Sequence, residues 1–85
     1  MKSTAVTVAT TATVVVSADN KNRDVYIHNS GGSKIYLGGS DVTTTNGYHL
    51  ANTESAAFFL PLGETIYGVV AAGTNVVNVL APDPD

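Results

Sequence analysis

The sequence predicts an all-β fold: a small antiparallel β-sandwich, jelly-roll-like, with about eight short strands. Val, Ile, Thr, Tyr and Phe dominate the apolar segments, and no window repeats apolar residues at helical spacing among good helix formers. The segments are short and closely spaced, and each is bounded by the Gly, Asn, Asp or Pro that a turn requires.

Taken in order, the strands fall at Ala5 to Ala9, Ala12 to Ser17, Asp24 to Asn29 and Lys34 to Leu37, then Tyr48 to Leu50, Ser55 to Leu60, Thr65 to Val70 and Asn75 to Leu80. The first two are Thr/Val alternations with high strand propensity. Asp19-Asn20-Lys21-Asn22 separates them from the third, and Asn29-Ser30-Gly31-Gly32-Ser33 separates the third from the fourth. Gly38 to Gly47 forms a longer loop, with Ser40-Asp41 and Asn46-Gly47 as side-chain-assisted turn pairs, so its shape is specified by its residues. Pro61-Leu62-Gly63 and Ala71-Ala72-Gly73 supply the last turns.

Alternation assigns the faces. Val25, Ile27, Ile35, Leu37, Phe58, Leu60, Ile66, Val77 and Val79 point to a common core. Tyr26, His28, Tyr36 and Tyr67 fall on the opposite sides of their strands, where a tyrosine ring can lie on a neighbour with its hydroxyl in water. Val14-Val15-Val16 and Val69-Val70 break the alternation, which implies burial on both faces, under another subunit or a covering loop.

With 85 residues the chain reads as a single domain spanning 1–85. A chain of this size buries only about 60 to 65% of its unfolded surface. It has no cysteine for a disulfide or thiolate site, so oligomerisation or docking is the remaining source of added stability. Only 13% of residues are charged against 44% hydrophobic. Either part of the surface is covered, or Thr, Ser and Asn supply solubility in place of charge. The net charge of −3, with Lys2, Lys21, Arg23 and Lys34 as the cationic side chains, excludes the clustered basic residues that nucleic acid demands. Threonines interrupt the N-terminal apolar residues throughout, so no secretion signal is expected, and no segment approaches the length of a membrane-spanning helix.

Few residues suggest chemistry, and no cofactor is expected. The chain lacks a Gly-x-Ser-x-Gly elbow and a cysteine nucleophile, and no enzymatic role is expected. Glu54 and Glu64 could approach as a carboxylate pair, and His28 and His49 could meet if their strands pair, though two imidazoles need a third ligand. Gly31-Gly32 and Gly38-Gly39 read as turn glycines, because no helix follows to receive a phosphate. Tyr26, Tyr36 and Tyr67 could form an exposed aromatic strip that stacks on sugar rings, with Asp41 or Asn29 as polar contacts; ordinary cross-strand packing explains the same residues.

The segment from Lys34 to Leu50, KIYLGGSDVTTTNGYHL, resembles one in small tailed-bacteriophage virion proteins, where an aliphatic-Tyr-Leu-Gly-Gly-Ser-Asp-Val-Thr-Thr strand and turn precedes Asn-Gly. The likeness extends through Gly63 to Thr74 and covers roughly half the chain; the N-terminal third matches only in being Thr- and Val-rich. The resemblance implies a capsid decoration, or cement, protein that binds the major capsid protein across capsomer junctions. It further implies a cyclic homo-oligomer such as a trimer, placed on the capsid surface of a virion assembled in the bacterial host cytoplasm. The expected capsid or subunit contacts are Thr43, Thr44, Thr45, Asn46 and Tyr48, with Val6 and Val8 of the N-terminal segment. Residues 1–13 are either an arm that adds to a neighbour's sheet or the first strand of the domain's own, and 81–85 an exposed tail. The alternative function is a glycan-binding module of a tail fibre or baseplate, using Tyr26, Tyr36 and Tyr67.

Overall fold

The computed structural model describes residues 1–83, and no helix occurs among them. Eight strands form: β1 (Lys2–Val8), β2 (Thr13–Val16), β3 (Arg23–Asn29), β4 (Ile35–Gly38), β5 (Tyr48–Leu50), β6 (Ser55–Leu60), β7 (Ile66–Val69) and β8 (Asn75–Ala81). They make two four-stranded sheets with the orders β1-β8-β3-β6 and β2-β7-β4-β5, every pair antiparallel. Apart from the β4–β5 hairpin, each connection passes from one sheet to the other, which is the strand order of a jelly roll.

One core lies between the sheets. Val25 and Ile27 of β3, Val77 and Val79 of β8, and Val8 of β1 meet Ile35 and Leu37 of β4, Leu50 of β5 and Val15 and Val16 of β2. The residues assigned inward by alternation are all in this cluster or, for Phe58 and Ile66, packed against it half-buried.

Of the two readings of the N-terminal segment, the first strand of the domain's own sheet is the one observed, since β1 pairs with β8 over all of Lys2 to Val8. Two other expectations need correction. The same pairing places Lys2, Thr4, Val6 and Val8 toward the inside, so Val8 is fully buried and is no contact for a partner. At the other end, Ala81 pairs with Lys2 as the last residue of the ladder, and Asp83 is tied back to the Met1 amino group and accepts a hydrogen bond from Lys21 Nζ. The free tail therefore does not begin at Ala81; residues 84 and 85 lie outside those described.

The irregular valines have two different causes. In β2 the register slips between Val14 and Val16, so Val15 is an inserted residue and it and Val16 both turn inward, while Val14 is 42% exposed. Val15 fills the space over Gly68, where an added Cβ would lie only 3.0 Å from its Cγ2. Val69, by contrast, is on the outer face of its sheet, paired opposite Tyr36, and buried there.

One end of the sandwich is closed by polar groups. Asn29, fully buried at the end of β3, donates through Nδ2 to the carbonyls of Ser33 and Leu50, and its Oδ1 accepts from Gly31 N and Asn75 Nδ2. Its backbone also bonds Glu54 O and Thr53 N across the β5–β6 turn. That turn holds Thr53 at φ 67°, a left-handed conformation that a β-branched residue adopts at a cost.

Candidate functional site

The outer face of the first sheet carries four of the eight exposed large hydrophobic side chains among the described residues. Along β3, β6 and β8, the residues between the buried ones must face outward, which puts Tyr26, Phe59, Val76 and Leu80 in water with exposures of 48, 64, 38 and 40%. The register aligns Ser3, Leu80, Tyr26 and Ala57 in one row across the sheet, and Ala5, Asn78, His28 and Ser55 in the next. A shallow groove of about 510 Å³ runs between the rows, with the Tyr26 ring on one side and His28 and Asn78 on the other. His28 Nδ1 and Ser55 Oγ are 2.6 Å apart, and Ser30 Oγ donates to the carbonyl of Val76 and to Asn78 Oδ1. Among the outward residues of these four strands, Asp24 is the sole carboxylate, so the surface offers contact area, a ring face and neutral polar groups.

The outer face of the second sheet is roofed by its own loop. Residues 39–47 fold back so that Val42 is buried, and an added Cβ at Gly38 or Gly47 would lie 3.0 Å from Val42 Cγ2. At the tip, Thr43 Oγ1 accepts from the amides of Thr45 and Asn46, while Asn46 Oδ1 accepts from Thr43 N at 2.7 Å. Asn46 Nδ2 reaches Asp41 O, and Gly47 N donates to Thr43 O. This is the reciprocal arrangement of a capping box on one isolated turn. Thr43, Thr44, Thr45 and Asn46 are thus exposed and held in a fixed shape by their own turn.

The three tyrosines are not brought together. Tyr36 and Tyr67 share the outer face of the second sheet, half-buried on the adjacent strands β4 and β7, whereas Tyr26 lies on the outer face of the first. Alternation tells inside from outside but not which sheet a strand joins. The histidines are separated for the same reason: His28 is on β3, and His49, on β5, has its ring 6.3 Å from that of Tyr36. Glu54 and Glu64 flank the two ends of β6, about 20 Å of extended chain apart. Glu54 Oε1 accepts from Ala51 N within its own turn. Among the described residues, no group of three or more His, Cys, Asp or Glu side chains gathers to hold a metal ion.

Of the remaining expected contacts, Val6 is half-buried against the core. Tyr48 is exposed but stacks edge-on against Phe58, with ring centroids 5.5 Å apart, and so helps to close the sandwich where β5 and β6 adjoin. Phe59, Val76 and Leu80 were missed in the sequence. The signal was present, because next to inward Phe58, Val77 and Val79 each of them must point out.

The fold and these surfaces define a small jelly-roll protein with one apolar outer face and one loop-covered face. Compared with known proteins, the chain matches no family model, no curated protein and no solved structure.

Proposed function

We propose that this protein is a non-enzymatic structural component of a bacteriophage virion that decorates the capsid and stabilises it by binding the major capsid protein across capsomer junctions. The observation that carries this reading is the nearly uncharged outer face of the first sheet, which exposes Tyr26 and Leu80 in one row, with Phe59 and Val76 toward its two ends. Such a face suits burial against a protein surface, with aromatic residues as anchors. The Thr43 to Asn46 turn, rigid and rich in hydroxyl and amide groups, is a second contact on the opposite side of the sandwich. A body with two such faces can link neighbouring subunits, and a cyclic homo-oligomer such as a trimer would multiply those contacts.

Stabilisation follows from linkage. A protein that binds the assembled shell and not its dissociated subunits stabilises each site by about 2.7 kcal/mol when present at 100 times its dissociation constant. The test is sedimentation with mature capsids. Saturable co-sedimentation, weakened by Phe59→Lys, supports the assignment. Protein that stays in the supernatant at every concentration overturns it.

The groove beside Tyr26 favours a second reading, a glycan-binding module of a tail fibre or baseplate. One exposed ring flanked by His28, Asn78 and Ser55 provides a stacking platform with polar groups at its edge. On a glycan array this reading requires saturable binding that is lost in Tyr26→Ala and unaffected by Tyr36→Ala or Tyr67→Ala.

A further inference from the structure

We infer that the cleft between β1 and β2 is a carboxylate-binding site built on Arg23. This site is independent of what the outer faces bind. Arg23 opens β3 in the same parity as Val25 and Ile27, so its side chain passes between the sheets and is only 7% exposed. Its Nη2 donates to Ser17 O at 2.9 Å, while Nε is buried without any acceptor. Among the described residues no carboxylate forms an ion pair with the guanidinium. A buried cation with unspent donors is costly, and it calls for an acceptor that none of the described residues provides.

The surroundings specify the acceptor. Arg23 borders a cleft of about 350 Å³ at the edge where β1 and β2 adjoin, together with Lys2, Thr4 and Ser17. Val15, Val16 and Val79 form apolar walls beside this polar set. The one acid on the lining, Asp19, accepts a hydrogen bond at Oδ1 from Asn20 N. A planar carboxylate matches the guanidinium fork, the Lys2 ammonium adds a second positive charge, and the valines accept an aliphatic stem. That combination describes a carboxylate on a short hydrocarbon chain. It is supplied equally by a free aliphatic acid or by an acidic side chain on an extended peptide, and β1, as an edge strand, leaves one side free for strand addition.

The experiment is an NMR titration of the full chain, reading the Arg23 Nε–H resonance at constant ionic strength. Its probes are sodium butyrate, phosphate, chloride and a pair of extended peptides that differ by Asp or Asn. The expected result is a saturable shift with butyrate, at an affinity about tenfold or more above that for chloride, the equivalent of one charge-assisted hydrogen bond. Lys2→Gln, on an exposed strand end, should weaken butyrate severalfold with the rest of the spectrum unchanged, and this variant serves if Arg23→Met does not fold. A preference for the Asp peptide over both the Asn peptide and butyrate identifies a peptide as the source. Butyrate binding that neither peptide exceeds identifies a free acid. No saturable shift, a shift shared equally by all anions, or a stronger response to phosphate than to butyrate would overturn the assignment.

Discussion

At the scale of the residue, Asn29 carries more of the structure than any single valine. Its amide joins the β3–β4 loop, β5 and β8, and no apolar residue can replace those bonds. Asn29→Ala should cost about 2 to 4 kcal/mol, because it strands the buried Leu50 carbonyl and removes the acceptor of Gly31 N and Asn75 Nδ2, although Ser33 O keeps its bond from Asn75 Nδ2. In a domain of this size that lowers Tm by more than about 10 °C, measured by calorimetry. Gly31 is coupled to the same network: a Cβ there would sit 1.6 Å from Asn75 Oδ1, so Gly31→Ala must expel the Asn75 side chain. In a double-mutant cycle, Gly31→Ala should be strongly destabilising alone and nearly neutral in an Asn75→Ala background. Additive effects would show that the close approach is not what excludes a side chain. Thr53 presents the opposite case. Its left-handed backbone is strained, and Thr53→Gly should stabilise the protein by up to about 1 kcal/mol in denaturant unfolding.

At the scale of the element, the eight strands were legible because each is a short β-branched segment ended by a turn residue, and their boundaries differ from those expected by three residues at most. What alternation could not reveal was the second layer of detail. The inserted Val15 is invisible in a run of three valines, since a bulge changes pairing without changing composition. The burial of Val42 was hidden too, because it depends on the β4–β5 loop folding over Gly38 and Gly47. Arg23 is the sharpest case: the expected strand starts at Asp24, and only its extension by one residue gives Arg23 the inward parity of Val25 and Ile27. The loop can be dissected accordingly. Replacing Thr43 to Asn46 with a Gly-Ser turn while keeping Val42 and Gly47 should leave the fold intact and reduce capsid attachment. Val42→Ala should instead cost about 1.5 kcal/mol of stability, for two buried carbons lost. Unchanged attachment after the turn replacement would assign the turn to the scaffold.

At the scale of the whole molecule, the sandwich presents two unlike faces. One sheet covers itself with its own loop, and the other leaves aromatic and aliphatic side chains in water. Sheet membership decides this division, and it emerges only from the pairing of strands distant in sequence, β3 with β8 and β4 with β7. That is why the proposed glycan strip of three tyrosines dissolves into one exposed ring and two half-buried ones. It is also why the exposed apolar side chains of the first sheet include Phe59, Val76 and Leu80 beside Tyr26. The most direct measurement of the central claim is a cryo-EM map of the virion. The account predicts density of about 34 × 23 × 16 Å on the outside of the shell, with the outer face of the first sheet turned toward capsid protein at a capsomer junction. A shell without that density, or the same density at a tail tip with the Tyr26 groove facing outward, would contradict it.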